Sequence, residues 1–399
     1  MKTFFTLVMV EQILLYFTFN EMEIAGMSFY LLLFLVQLFF YLNYYGKPYS
    51  VACKREKDNY KPFCSKPKVS VIIVSENAEA ELSENLPAVL TQDYPDFEVV
   101  VVNNGSTDES ETLLRSLQLK YPRLYVTCLP YSNDITFVRR KLAFTIGIKA
   151  AKGDVLLFTE AYSRPVSDQW ISSMMEELSD EKGVVLGYSF YAGAKPFFNR
   201  IARFDNHLFS MQYMAMALKG RPFIGIYRNL AFRKRLFFDN KGFASFLNLE
   251  NGEDAFINRI ITDGNTSVAL SSDSFVESLN DRFSLWEQTK KSYSIAKKYF
   301  KRKTPNNLFG LEVITRYLFY LTLIVLSAYS VMFYHWTLLG VTVLLFLFRL
   351  LVQLMIINKA AKYFQSGKFF FSLILMDILQ PFYNFKFRTC HKNKVTGYR

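Results

Sequence analysis

Charged residues are nearly absent from three stretches of this chain, and those stretches define its plan. Residues 27–45, MSFYLLLFLVQLFFYLNYY, carry no charge across roughly the 20 positions that a bilayer-spanning helix requires, which predicts a span. Residues 317–334 and 337–358 are two further apolar runs parted only by His335 and Trp336, the pattern of a helical hairpin through a membrane. A last run at 369–385, FFFSLILMDILQPFYNF, is interrupted by Asp377 and Pro381 and is short for a span. It reads as an interfacial or re-entrant helix. Ahead of the first span, FFTLVMVEQILLYF contains Glu11, and an interfacial helix, a second span and a signal-like start all remain open for it. The plan is thus an N-terminal membrane anchor over 1–47, a domain over 68–300, a C-terminal membrane region over 308–385 and a basic tail over 386–399.

Between the membrane segments the pattern changes. KVSVIIVS, FEVVVVNN, LYVTCLP and DVLLF are short, β-branched apolar runs that predict buried strands. AELSENLPAVLTQ, DESETLLRSLQLKYP and TFVRRKLAFTIGIKAAKG separate them with helical spacing. Such alternation predicts a parallel sheet with helices on both faces and ligands at the carboxyl ends of the strands. Those ends are polar: Ser75, Glu76 and Asn77 follow the first strand, Asn103 and Asn104 the second, and Glu160 the fourth. Hydroxyl, amide and carboxylate groups gathered on one edge suit a base and a ribose. Ser106 and Asp108 are better read as helix caps. No GxGxxG follows the first strand and no GxxxxGK[ST] occurs, so bound phosphates need side-chain cations or a metal, and Arg139, Arg140 and Lys141 supply the cations.

Composition sharpens the membrane reading. An apolar fraction of 51% with 17% aromatic residues is too rich for a wholly soluble protein of 399 residues. Lys47, Lys54, Arg55 and Lys57 follow the first span, Lys301, Arg302 and Lys303 precede the hairpin, and Lys359, Lys362 and Lys368 follow it. The positive-inside rule puts all three clusters, and the acid-free tail KFRTCHKNKVTGYR, on the cytoplasmic side. Topology thereby accounts for most of the +12 net charge, and no basic, aromatic groove motif suggests nucleic acid. Cys53, Cys64, Cys128 and Cys390 are scattered and read as reduced thiols, and three isolated histidines make a His-based triad or zinc site improbable.

The order VSVIIVSEN, PDFEVVVVNNGSTDES, RKLAFTIGIKAAKGDVLLFTEAYSRP, NGEDAFI and WEQTKKSY resembles the family 2 glycosyltransferases of GT-A fold, in their membrane-anchored bacterial branch. The resemblance covers residues 68–300. It implies a Rossmann-like, mostly parallel α/β domain flanked by N- and C-terminal transmembrane helices. It also implies a nucleotide-sugar donor, inversion at the anomeric carbon and a carboxylate base. Carried onto this chain, Ser75, Glu76, Asn104, Arg140, Lys141, Glu160 and Tyr162 fall at the nucleotide-sugar site. Asp254 matches the family's base, with Glu253 positioning it, and Gln288 and Lys291 match the diphosphate and acceptor motif QxxRW.

Three departures bear on the chemistry. Asn104 replaces an acid that contacts the base. Tyr162 replaces the second carboxylate of the DxD, leaving Glu160 as the candidate ligand for a divalent cation, Mg or Mn, and a phenol is a poor ligand for such an ion. Lys291 replaces an arginine and Ser292 a tryptophan, with Tyr293 or Trp286 as substitute platforms. Three readings of Glu160 follow: it binds metal with help from water and diphosphate, side-chain cations replace the metal, or turnover has been lost. Gly225, Arg228 and Asn229 are candidates beside the acceptor. The expectation is an inverting enzyme that moves one sugar to a lipid-linked or envelope glycan acceptor, multi-pass in the inner membrane with its domain in the cytoplasm. The alternative is an inactive relative that binds nucleotide or partner subunits in envelope assembly.

Overall fold

The computed structural model describes residues 18–58, 66–132, 136–195, 197–249, 252–280, 283–301 and 304–389. The expectations for residues 4–17, Cys64, Arg302, Lys303, Cys390 and the end of the basic tail lie outside them. Helix α1, Glu21–Phe40, continues as a π-helical turn to Tyr45. It starts before the predicted span because Asn20 and Glu23 form a reciprocal capping box, each side chain accepting from the other's backbone N–H at 2.8 Å. Helix α2, Lys47–Lys57, leads into the domain, and Arg55 anchors it there through Glu177 at 2.8 Å.

The domain alternates as its apolar pattern demands. In chain order come β1 (Val69–Ser75), α3 (Glu79–Leu90), β2 (Phe97–Asn103), α4 (Ser110–Lys120), β3 (Leu124–Cys128), α5 (Thr136–Ala150), β4 (Val155–Phe158) and β5 (Ser163–Pro165). Then follow α6 (Trp170–Met175), β6 (Val184–Leu186), β7 (Ser189–Tyr191), α7 (Phe197–Leu218), β8 (Leu230–Arg233), α8 (Lys234–Asp239), α9 (Gly252–Ile260), β9 (Thr266–Val268), β10 (Val276–Ser278) and α10 (Phe283–Ala296). Seven strands form one sheet in the order β3-β2-β1-β4-β8-β6-β9. Side chains alternate across it: Val69, Val71 and Ile73 pack toward Leu82, Leu86 and Trp170, while Ile72, Val100 and Leu156 pack toward Phe144, Ile148 and Phe256. Both faces are covered, which is why these strands read as continuous apolar runs.

The sheet is not wholly parallel. Strand β8 runs antiparallel to both β4 and β6, with Leu230 opposite Phe158. An antiparallel strand begins where its neighbour ends, so the residues just before β8 join those just after β4 on one edge. A second sheet, β5-β10-β7, sets Ser163 and Tyr191 on either side of Ser278. Asn229 locks the junction by accepting from Trp170 Nε1 at 3.1 Å and donating to the carbonyls of Tyr188 and Ser274 at 2.8 and 2.7 Å. A Cβ on Gly187 would lie 2.3 Å from the Asn229 side chain. Gly187→Ala is therefore expected to destabilise the domain by about 3 kcal/mol or more, since it breaks a buried network as well as crowding it, and a thermal melt checks this.

Among the described residues three helices are long and apolar enough to cross a membrane: Glu21–Tyr45, Pro305–Met332 and Trp336–Tyr363. The last two lie in α11 (Thr304–Met332) and α12 (Trp336–Tyr363), a hairpin longer at both ends than its apolar runs. The extension takes in Glu312 and Arg316, which pair with each other at 2.6 Å in the buried interior. Helix α13, Leu373–Thr389, contains both interruptions, Asp377 and Pro381. Its Asp377 is buried, not at a water-facing surface, and meets Arg316 at 3.1 Å and Arg349 at 3.0 Å.

Candidate active site

The carboxyl edge of β1 and β2 is a hydrogen-bonded rim. The backbone N–H of Asn104 donates to the Ser75 carbonyl at 2.8 Å, and its Nδ2 donates to Glu76 at 2.7 Å. Ser106 and Asp108 cap neighbouring backbone, accepting from Asn77 N at 2.9 Å and Glu79 N at 3.1 Å. Gly105 completes the turn with a φ of 77°, and any Cβ there would meet Arg139. Ser75 Oγ and Asn104 Oδ1 are buried without a partner, leaving a hydroxyl and an acceptor unmatched at this rim.

Beyond β4 lies a cavity of about 190 Å³. Glu160 and Tyr162 reach it from the end of β4, Glu253 and Asp254 from the start of α9, and Gln288, Lys290 and Ser292 from α10. Arg140, one helix turn into α5, stands among the carboxylates: its Nη2 is 3.1 Å from Glu160 Oε1 and its Nε 3.1 Å from Glu253 Oε1. The guanidinium is half exposed, whereas Glu253 is buried. Asp254 sits deeper. Burial, aggravated by the neighbouring Glu253 charge, pushes its carboxyl up to about 7, and the Ser292 hydroxyl donates to its Oδ2 at 3.4 Å. A carboxylate whose proton affinity lies near neutrality can both take and release a proton at physiological pH.

Not every predicted residue reaches this cavity. Lys141 is buried beneath it, donating to the carbonyls of Phe246 and Leu247 at 2.8 Å and also to that of Leu249. It holds the loop that leads into α9, and burial lowers its pKa. Lys291 projects off the cavity face of α10 and pairs with Glu287 one turn back at 2.8 Å. The phase of the helix decides this: Gln288 and Ser292 share a face, and Lys291 falls beside it. Ser75, Glu76 and Asn104 line the rim outside the cavity. Gly225 packs against Leu186 and Leu230, and Asn229 serves the junction described above, whereas Arg228 lines the cavity. Tyr293 and Trp286 both border it.

Sequence reasoning missed two charged residues there. Lys290 lines the cavity and ion-pairs with Asp205 of α7 at 2.8 Å. Asp205, buried, also accepts from Trp286 Nε1 at 3.3 Å and from Gln380 of α13 at 2.9 Å. The membrane-region helix thus touches the cavity wall directly. An aspartate inside the apolar helix pattern of α7 was the one available signal.

Among the described residues no set of three or more His, Cys, Asp or Glu side chains comes together to hold a metal ion. Two carboxylate oxygens are nonetheless open: Oε2 of Glu160 and Oε2 of Glu253 are buried without a partner, while the other oxygen of each faces Arg140. Such a pair fits a magnesium-like ion when substrate phosphates and water complete the shell.

Residues 34–387 match the model of glycosyl transferase family 21. The chain belongs to that family. Family 21 shares a clan with the family 2 glycosyltransferases. Among curated relatives, the uncharacterised glycosyltransferase YfnE of Bacillus subtilis (strain 168) is 29% identical over 131 residues, covering 31% of this chain and 32% of that protein. The poly(ribitol-phosphate) beta-glucosyltransferase of Bacillus spizizenii (strain ATCC 23059 / NRRL B-14472 / W23) is 32% identical over 108 residues, 27% of this chain and 16% of that one. The chain spans about a third of the length of the first curated relatives it matches. In structure it is similar to the mannosyltransferase PcManGT from Pyrobaculum calidifontis in complex with GDP-Man and Mn2+, with a TM-score of 0.51 and 16% identity, over 84% of this chain and 97% of that one. At that identity the likeness is one of fold, and it establishes the GT-A architecture of this family 21 glycosyltransferase.

Proposed function

We propose that the protein is a membrane-bound inverting glycosyltransferase that moves a single sugar from a nucleotide-sugar to a lipid-linked or envelope glycan acceptor at the cytoplasmic face. The observation that carries this reading is Asp254, a partly buried carboxylate that lines the cavity beside Glu253, accepts from Ser292 and has its proton affinity raised to about 7. In the proposed step its Oδ takes the proton of the acceptor hydroxyl as that oxygen attacks the anomeric carbon. The bond from that carbon to the diphosphate breaks on the opposite face, and the nucleoside diphosphate leaves. Ser292 orients the base, and the Arg140 guanidinium offers positive charge to the leaving group.

The nucleotide lies on the rim, where Ser75 Oγ and Asn104 Oδ1 lack partners. Solved PcManGT holds GDP-Man and Mn2+, and a divalent cation in this chain would sit on the open oxygens of Glu160 and Glu253, neutralising the diphosphate. Cytoplasmic placement is supported by the basic residues beside the candidate spans, and a membrane-borne acceptor by the contact between α13 and the cavity wall through Gln380 and Asp205.

The test is calorimetric titration of the detergent-solubilised protein with UDP and GDP, with and without Mn²⁺, beside Glu160→Ala. Nucleotide binding that the substitution abolishes supports a working donor site. A folded protein that binds neither nucleotide would instead favour the partner-binding alternative. Where transfer is measurable, its rate is expected to rise with pH through about 7 and then level off, because the base works only when deprotonated. A rate flat from pH 5 to pH 8 would count against Asp254 as the base.

A further inference from the structure

Once the ion pairs of the cavity are matched among the described residues, one cation is left over. Arg140 faces Glu160 and Glu253, and Lys290 faces Asp205. Arg228 has no carboxylate in ion-pair contact among the described residues, although it is 4% exposed. Its Nη2 donates to the neutral amide oxygen of Asn206 at 2.7 Å, and its guanidinium carbon lies 4.5 Å from the centre of the Tyr191 ring. Its Nη1 is buried without a partner. Leaving a guanidinium unpaired in the interior is costly, and such groups are found where a ligand completes them.

The surroundings of Arg228 are built to hold it still. Asn206 is itself fixed by donating to the Ser189 carbonyl at 2.9 Å, and Tyr191 is held in the small sheet. The antiparallel entry of β8 brings Arg228 to the edge that carries Glu160 and Tyr162, inside the cavity and away from the nucleotide rim. Arg140, half exposed, lines the same cavity and offers the more accessible positive charge to a diphosphate, which leaves Arg228 for the sugar.

Building on the donor reading above, we propose that Arg228 is the receptor for an anionic group, a carboxylate or a phosphate, borne by the sugar that enters this cavity. The planar fork of the guanidinium matches either group through two parallel hydrogen bonds, and Nη1 is the donor in waiting. A neutral sugar would leave that donor unmatched and its charge balanced only by the more distant Glu160 carboxylate. The protein would thus discriminate in favour of acidic sugars by penalising the absence of the charge, which is the stronger form of selection.

Two sources of the acidic sugar are separable. For the donor, calorimetry compares UDP, UDP-glucose and UDP-glucuronate, with the guanosine series GDP, GDP-mannose and GDP-mannuronate beside it. For the acceptor, glucose, glucuronate and glucose 6-phosphate are titrated into protein saturated with the better nucleotide. In at least one arm the acidic probe should bind about tenfold or more tighter than its neutral counterpart. Arg228→Gln should erase that preference while leaving the affinity for the bare nucleotide in place. Asn206→Asp offers a milder check on folding grounds: it gives Arg228 an internal carboxylate, so the preference should vanish with the arginine still present. No preference in either arm, or loss of bare nucleotide binding equal to the loss for the acidic probe, overturns the proposal. If wild type binds no nucleotide but still prefers glucuronate to glucose, the donor reading falls and the anion site stands. If it binds none of these probes, both fall.

Discussion

Asp254→Asn is expected to lower the rate of sugar transfer by about 10²–10⁴-fold while nucleotide binding persists. The amide keeps the shape and the hydrogen bond from Ser292 but cannot accept a proton from the acceptor hydroxyl. The same substitution has a second, independent signature in stability. Burial and the Glu253 charge raise the Asp254 carboxyl from 3.8 to about 7, so the native state holds this proton more tightly than the unfolded chain does. A raised group of this kind contributes most below its unfolded pKa, and the contribution is lost as pH climbs toward the folded value. At pH 8 the ionised carboxylate therefore burdens the fold, and the neutral amide of the variant is free of that burden. Asp254→Asn should melt higher than wild type at pH 8, by an amount on the order of a few kcal/mol, and the gap should close as pH falls from 7 toward 4. An inactive variant that is less stable at every pH would mean the substitution acts by disturbing packing, and transfer chemistry would need another base.

The second large effect lies in the membrane region. Asp377 of α13 receives Arg316 of α11 at 3.1 Å, Arg349 of α12 at 3.0 Å and the Tyr320 hydroxyl at 2.9 Å. Arg349 also reaches Gln37 and Tyr41 of the first span at 3.1 Å, so one buried cluster ties all three candidate spans to α13. Asp377→Ala leaves two buried guanidinium groups with Glu312 as the one acid paired to either among the described residues, and should cost about 3–5 kcal/mol. Removing one of the cations as well, in Asp377→Ala with Arg349→Met, should recover part of that loss, because the cost comes from the uncompensated charge. Melting curves in detergent for the two single variants and the double variant measure the coupling; simple additivity would refute it. Activity should fall along with stability, since Gln380, one turn after Asp377, holds Asp205, and Asp205 holds Lys290 in the cavity wall.

Much of this was legible from periodicity. Five apolar residues among the seven of β1 with both faces buried, helices at 3.6-residue spacing between strands, and nearly uncharged runs long enough for lipid are local properties, set by backbone geometry and recoverable from consecutive residues. Glu160 at the end of β4 and the Glu253–Asp254 pair at the start of α9 were legible for the same reason, since a strand end or helix start is a local event. Whether their neighbours joined them was not. Lys290 and Lys291 differ by one position and by about 100° of helix phase, and only the packing of α10 against α7 decided which enters the cavity. Asp377 read as an interruption of a short apolar run, and no local signal says that arginines on two other helices meet it. Arg228 reaches the catalytic edge only because β8 is antiparallel, and strand direction is fixed by distant partners. The sequence by itself determined the first four strands, the helices between them, the apolar runs and the edge where chemistry gathers; the tertiary structure alone decided which charges on different elements are paired, because that pairing joins residues far apart in the chain and no short-range pattern encodes that distance.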